Sequence, residues 1–145
     1  MNQAEQINKL WNEEFPQILN NRFGMLLEGI NNYFHYIIED ENHNLIAWAV
    51  VFEKDNELRF SIIVTNSHKG CGLGSMLIKK LKEEYDEFYG WVIEHNNDIK
   101  INGENYKSPL QFYINHGFDI LQDVRIDNEI LKAVKIKWSS KNPNF

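Results

Sequence analysis

The spacing of apolar and polar residues divides the first half of the chain into two helices and three strands. Apolar residues recur at helical spacing within residues 4–14 and again within residues 17–30. Three apolar runs then predict strands, at residues 33–40, 45–53 and 57–65. The polar turns between these strands are short. Neighbouring strands must therefore be antiparallel, because a parallel crossover needs a much longer connection.

The pattern changes after residue 65, where a glycine-rich loop opens an amphipathic helix with an apolar stripe. The strand that follows this helix, over residues 89–94, should be parallel to the strand over residues 57–65, in a right-handed unit. Three further elements complete the chain: a short helix over residues 109–116, ended by Gly117, and strands over residues 118–124 and 129–138. Together the elements predict a single α/β domain, residues 1–145, with a mixed sheet and helices on both faces.

The composition excludes several classes of protein, although it does not indicate a particular chemical activity. The net charge is −6, which argues against a generic nucleic-acid binder. One cysteine, Cys71, excludes an internal disulfide and a cysteine-based metal site, and the histidines show no ligand spacing, so we expect no metal. No apolar run approaches the roughly 18 residues of a membrane span, and no signal pattern opens the sequence. These features favour a cytoplasmic protein that binds no membrane.

The acidic residues are unevenly distributed. Residues 1–60 contain 4 basic and 10 acidic side chains, whereas residues 61–145 contain 11 of each. An acidic surface near a cationic partner is one interpretation, and an ordinary solubilising surface is the other.

The most informative segment is the turn in which Gly70, Gly72 and Gly74 alternate at the start of a helix. Glycines let the backbone approach an anion closely, and the helix N-terminus adds partial positive charge. Lys69 would add a full charge. The pattern therefore predicts a pyrophosphate cradle, with a purely structural glycine-rich loop as the alternative.

Two familiar phosphate-binding motifs fit this turn poorly. A Walker A loop requires a lysine directly after its last glycine, and here Ser75 follows Gly74. A dinucleotide fingerprint would use Gly70 and Gly72, with Glu94 in the place of the ribose-binding acid. Its third glycine position, however, holds Ser75, and the antiparallel strands upstream do not belong to that fold. A nucleotide-binding domain thus remains the weaker alternative.

The sequence Lys-Gly-Cys-Gly-Leu-Gly at residues 69–74 resembles the phosphate loop of the GCN5-related N-acetyltransferase (GNAT) superfamily. A second element of that family, an aromatic-Tyr-x-x-x-Gly-Phe junction, is similar to residues 112–118. The resemblance covers roughly residues 33–138, although the family's usual first strand is not evident before residue 4. It implies a GNAT-like acyl-CoA acyltransferase fold, with an antiparallel meander, a parallel βαβ unit and a C-terminal hairpin.

In this family the co-substrate is acetyl-coenzyme A, and the resemblance transfers its contacts to numbered positions. The strand residues that would pair with the pantetheine arm are Ile62, Ile63 and Val64. The strands over residues 57–65 and 89–94 would splay apart near the thioester. The loop residues whose backbone N–H groups would hold the pyrophosphate are Lys69, Gly70, Cys71, Gly72, Leu73, Gly74 and Ser75.

The resemblance also implies catalytic roles. Tyr113 occupies the place of the general acid that protonates the leaving thiolate. The family's basic carboxylate would fall near Leu58, which cannot serve, and Glu57 points to the opposite sheet face. Glu94 is therefore the candidate base, with His95 or bulk water as alternatives.

A covalent acyl-enzyme on Cys71 is disfavoured, because the phosphate loop lies far from the thioester in the implied pose. Tyr106 stands where the family often has an asparagine that contacts pantetheine.

The implied activity is transfer of acetyl from acetyl-coenzyme A to a primary amine by direct attack. The acceptor would be a small-molecule or peptide amine, and the acid-rich first 60 residues suggest a cationic one. A homodimer is common in such folds. A non-catalytic acyl-coenzyme A binding or sensing module is the main alternative.

Overall fold

The computed structural model describes residues 3–14, 33–94, 99–104, 106–128 and 131–140. The predicted helix over residues 17–30 lies outside these described residues. The described helices are α1 (Gln3–Glu14), α2 (Leu73–Glu84) and α3 (Leu110–Asn115). The strands are β1 (Tyr33–Glu39), β2 (Leu45–Lys54), β3 (Glu57–Val64), β4 (Glu87–Val92), β5 (Asp119–Asp127) and β6 (Lys132–Ser139).

The six strands form one mixed sheet in the order β1-β2-β3-β4-β6-β5. β1, β2 and β3 are an antiparallel meander, as the short polar turns predicted. β3 and β4 are parallel and are joined through α2, which confirms the predicted crossover. β6 then runs antiparallel to both β4 and β5, so it inserts between them. The predicted α/β mixed sheet with a parallel unit and a C-terminal hairpin is confirmed.

Strand β2 explains how one sheet supports helices on both faces. Trp48, Val50 and Phe52 pack in the cluster that contains α1. Ala47 and Ala49, which alternate with these residues along the strand, pack in a cluster with Leu77 of α2. Because successive side chains of a strand point to opposite faces, a strand covered on both sides must be apolar throughout. This is why residues 47–52 are buried without interruption.

Helix ends and turns fix the boundaries that periodicity leaves loose. The backbone N–H of Tyr85 still bonds the carbonyl of Leu81, and β4 begins two residues later, at Glu87. At the other end of the sheet, the Asn128 side chain accepts a 2.8 Å hydrogen bond from the Leu131 N–H. This turn delays β6 until Lys132, three residues after the predicted start.

The predicted glycine stop after α3 is confirmed. Gly117 has a φ of 85°, and its N–H bonds the Ile114 carbonyl at 3.1 Å. Phe118 then donates its N–H to the Tyr113 carbonyl and enters the core. The turn therefore fixes Tyr113 on one side and the start of β5 on the other. None of the described helices is long and apolar enough to cross a membrane.

Candidate active site

A cavity of about 1000 Å³ runs between strands β3 and β4. The two strands pair at Arg59 and Tyr89 and then part, so that residues 61–64 and 91–93 line the cavity from its two sides. Phe60 fills the narrow end, where its ring lies 2.6 Å from the position a Cβ on Gly90 would occupy. The opening between parallel strands is the feature on which the rest of the site is assembled.

The glycine-rich turn closes one end of this cavity. Gly70 and Gly72 both have a φ of 84°, and a Cβ built on either would meet nothing within 4 Å. Gly72 is the N-cap of α2, and no side chain caps the helix. The first N–H groups of α2 thus have no side-chain acceptor, which is the construction of an anion site. Of the seven predicted loop residues, all except the exposed Cys71 line the cavity.

Gly74 and Ser75 make packing and hydrogen-bonding contacts with α3 that the sequence did not predict. A Cβ on Gly74 would lie 3.0 Å from the Phe112 ring, so glycine lets α2 approach α3 closely. The Ser75 hydroxyl lies 2.9 Å from Nε2 of His116, whose Nδ1 lies 2.7 Å from the Phe112 carbonyl. A carbonyl only accepts, so a neutral His116 carries its proton on Nδ1 and the serine donates to Nε2. These contacts fix the loop against α3.

Tyr113 reaches the cavity from α3 and is 6% exposed. Its ring packs against Phe60 and Phe118, at centroid distances of 5.7 and 5.2 Å. Its hydroxyl forms no hydrogen bond with any residue that the structure describes. Burial, with a smaller contribution from nearby Tyr106, raises the pKa of Tyr113 well above its ordinary value. A tyrosine with the ordinary pKa of about 10 is already protonated at neutral pH, and the raised pKa means that this phenol holds its proton more tightly.

The candidate bases lie away from Tyr113. Glu94 forms an ion pair with Arg125, and it is not among the described residues that line the cavity. Glu57 bonds Arg59 and Lys135; burial opposes its ionisation, but these two cations hold its pKa below the ordinary value. Like Glu94, Glu57 is absent from the described lining. His95 falls outside the described residues. The role predicted for Glu94 remains a prediction.

A buried ion cluster in the site was not predicted. One carboxylate oxygen of Glu14 accepts hydrogen bonds from Lys69 and Lys100, both at 3.0 Å. Glu14 and Lys100 are 6% and 4% exposed, whereas the Lys69 side chain is half-exposed. The cluster joins the end of α1 to the phosphate loop. A signal for Glu14 did exist, since it continues the apolar stripe of Ile7, Leu10 and Trp11, where an acid is unexpected.

The charge of the cavity differs from the charge of the chain. Five cationic side chains line it, against Glu14 and Glu104 among the described residues. The cations are Lys54, Arg59, Lys69, Lys100 and Lys107. The described lining therefore carries a surplus of three positive charges. The expectation of a cationic acceptor depended on the acid in residues 1–60, and the described lining does not support it.

Comparisons with known proteins place the chain in a family. A family model described as an acetyltransferase (GNAT) domain matches residues 31–120, more than half of the 145 residues. The chain belongs to the GNAT acetyltransferase family. No curated protein gives a significant sequence match.

Solved structures of GNAT acetyltransferases share the fold at low sequence identity. The ribosomal-protein-S18-alanine N-acetyltransferase from Escherichia coli is 14% identical, with a TM-score of 0.63 over 100% of this chain and 95% of its own. The spermidine N-acetyltransferase from Vibrio cholerae, solved with CoA and spermine, is 15% identical, with a TM-score of 0.61 over 97% and 92%. At these identities the likeness establishes the fold alone.

Family membership makes this GNAT chain an acetyltransferase, and the cavity between β3 and β4 is its candidate active site. The phosphate loop and Tyr113 border the same cavity, whereas Glu94 lies outside the described lining. Among the described residues, no group of three or more histidine, cysteine, aspartate or glutamate side chains is placed to hold a metal ion.

Proposed function

We propose that this protein, as a single domain over residues 1–145, transfers acetyl from acetyl-coenzyme A to a primary amine by direct attack. The observation that carries the proposal is the buried Tyr113 side chain, which lines the same cavity as the phosphate loop. Acetyl-coenzyme A would supply an activated acyl group as a thioester. The chain's own residues would bind it, orient it and provide the proton for the departing sulfur.

The described loop fits a pyrophosphate. Gly70 and Gly72 leave open space where other residues would carry a Cβ, which lets an anion approach the backbone. In the proposal the N–H groups of residues 69–75 hold the anion, and the Cys71 N–H, which bonds the His68 carbonyl at 3.3 Å, would have to share its hydrogen bond. Ile62, Ile63 and Val64 lie along the cavity next to this loop. In the proposal they pair with the amide groups of the pantetheine arm, as an added strand would.

Tyr113 is the proposed general acid. The phenol is protonated at neutral pH and forms no hydrogen bond with a described residue, so its proton is available to a bound substrate. The raised pKa makes it a weaker acid than an ordinary tyrosine. A proton given to the sulfur makes the leaving group a neutral thiol. Tyr106 enters the cavity from the cluster on the α1 face and is a proposed neighbour of the same reacting centre.

Removal of the proton from the amine is proposed to use water in the cavity, with Glu94 as the side-chain candidate. The Glu94 carboxylate already forms an ion pair with Arg125, so it would have to act from within that pair. Cys71, which is exposed and absent from the described lining, takes no part in the proposed transfer.

The test is release of coenzyme A in the presence of an amine panel, monitored with a thiol reagent. The proposal expects release that depends on both acetyl-coenzyme A and an amine. Tight binding of acetyl-coenzyme A without transfer to any amine would instead favour a binding or sensing module. Thermal stabilisation by NAD or ATP, but not by acetyl-coenzyme A, would favour the nucleotide-binding alternative and overturn the proposal.

A further inference from the structure

The far end of the cavity, opposite the phosphate loop, carries cations that acetyl transfer to a simple amine does not require. Lys54 and Arg59 line this end, where the β2–β3 hairpin turns. Phe52 and Trp91 line it as well and give it apolar walls. Lys54 and Arg59 are therefore available to bind a group of the second substrate.

The register of the sheet places Lys54 and Arg59 side by side. Lys54 lies opposite Glu57, and Phe52 lies opposite Arg59, so Lys54 and Arg59 are diagonal neighbours on one face of the hairpin. Diagonal neighbours across antiparallel strands are about 7–8 Å apart at the backbone. A small oxyanion fits between two such side chains, because both are long enough to converge on it.

Both side chains have hydrogen-bonding capacity to spare. Arg59 donates from Nε to Glu57 and from Nη2 to Asp55, while Nη1 bonds no residue that the structure describes. Lys54 is exposed and forms no ion pair with a described residue. Glu57 is also bonded to Lys135, so its charge is shared between two cations. Asp55 also pairs with Arg59, so the two carboxylates of Asp55 and Glu57 face the three cations Lys54, Arg59 and Lys135, and one positive charge remains for a ligand.

The pyrophosphate of the co-substrate cannot be that ligand. Arg59 precedes Val64, the last residue of β3, by five positions, which corresponds to about 16 Å of extended strand. The phosphate loop begins beyond that point. In the proposed pose the pantetheine arm occupies this length of strand, so an anion at Arg59 lies past the thioester and belongs to the acceptor.

We propose that the acceptor carries an oxyanion, a carboxylate or a phosphate, beside its reacting amine, and that Lys54 and Arg59 bind this oxyanion. The inference depends on the proposed function, because it concerns the second substrate of the same reaction. Arginine and lysine pair well with carboxylates and phosphates, and a cavity with surplus positive charge attracts such molecules. Amines without an oxyanion would enter the same cavity without this attraction.

The experiment compares acceptors that differ only in the oxyanion. Phenylalanine is matched with phenethylamine, phosphoethanolamine with ethanolamine, and spermidine represents cationic amines. We expect kcat/KM at least about tenfold higher for the oxyanion-bearing member of at least one pair. The phenylalanine pair reports on carboxylate and the phosphoethanolamine pair on phosphate. Preference in neither pair, or a higher kcat/KM with spermidine than with either oxyanion-bearing acceptor, overturns the inference.

Reversing the charge of Lys54 tests whether the preference for oxyanion-bearing acceptors depends on this residue. Lys54→Glu should raise KM for the preferred acceptor by about tenfold or more and leave its oxyanion-free partner unchanged. Lys79→Glu is the matched control, because Lys79 is an exposed lysine of α2, on the opposite face of the sheet. Equal losses from both substitutions would overturn the assignment of the oxyanion to Lys54 and Arg59.

Calorimetry separates failure of this inference from failure of the proposed function. If no amine is acetylated, the proposed function fails, and acceptor binding to the coenzyme A-loaded protein becomes the readout. Tighter binding of the oxyanion-bearing member of a pair, lost in Lys54→Glu, supports the inference. Equal binding of both members overturns it.

Discussion

The two ends of the cavity are built in different ways. At the phosphate loop the proposed binding groups are backbone N–H groups, presented by glycines and by the start of α2. At the far end the proposed binding groups are side chains from separate elements, namely Lys54 of β2, Arg59 of β3 and Trp91 of β4, which line the cavity. A backbone site depends on a few consecutive residues, whereas a side-chain site depends on the whole fold.

The largest effect is expected at Tyr113, which lines the cavity. Tyr113→Phe should lower kcat by about 10²- to 10³-fold, because the departing sulfur loses its proton donor. The affinity for coenzyme A should stay unchanged, since the ring remains in place. Tyr33→Phe, at an exposed tyrosine of β1, is the control and should have no effect. Unaltered kcat in Tyr113→Phe would remove Tyr113 from the chemistry.

The ion cluster that joins α1 to the phosphate loop should control stability. Glu14→Gln leaves Lys100 buried without its carboxylate, and we expect a loss of about 3 kcal/mol in the free energy of unfolding. Denaturation in urea measures it. The double variant Glu14→Gln/Lys100→Gln should lose less than the sum of the two single variants, because it leaves no buried charge unpaired. Strict additivity would mean that the pair is not coupled.

Two glycines with nearly the same positive φ allow the effect of backbone strain on stability to be distinguished from an effect on ligand affinity. Gly70 and Gly103 have φ values of 84° and 87°, and neither has a neighbour within 4 Å of a built Cβ. Replacement by alanine should cost each about 1–2 kcal/mol of stability. Gly70→Ala alone should also weaken coenzyme A binding, by about tenfold. Similar affinities in the two variants would show that the loop does not cradle the pyrophosphate.

The smallest effect is expected in the pH profile. Because burial raises the pKa of Tyr113, the phenol keeps its proton beyond the ordinary tyrosine pKa of about 10. We expect kcat/KM to rise with pH as the acceptor amine is deprotonated, with no decline from Tyr113 below pH of about 10. A decline between roughly pH 8 and 10 that disappears in Tyr113→Phe would contradict the raised pKa.

The difference between the two ends also explains what the sequence could predict. The glycine turn, the crossover helix and the Phe112–Phe118 junction are local patterns, and the structure brings the turn and the junction to one cavity. The antiparallel pairing of β1, β2 and β3 could be predicted because the turns between them are too short for a parallel crossover. Each of these features depends on residues within one segment of chain, where spacing determines geometry.

Long-range contacts were not predictable in the same way. The Glu14–Lys100 pair joins residues 86 positions apart, and nothing near Lys100 marks it as buried. The predicted match between acidic residues and a cationic acceptor was drawn from a count. In the structure Glu14 and Glu57 are bonded to lysines or arginine, and the Asp40 carboxylate accepts hydrogen bonds from its own turn. A total charge contains no information about which side chains face the cavity.

Direct transfer of acetyl to an amine is tested most directly by the fate of an isotope-labelled acetyl group. The protein is mixed with labelled acetyl-coenzyme A and an amine, and the small molecules and the intact chain are then examined by mass spectrometry. We expect one labelled N-acetyl product for each coenzyme A released, with no label on the protein. Label on Cys71 as an intermediate, or labelled acetate without an acetylated amine, would contradict direct transfer in this cavity.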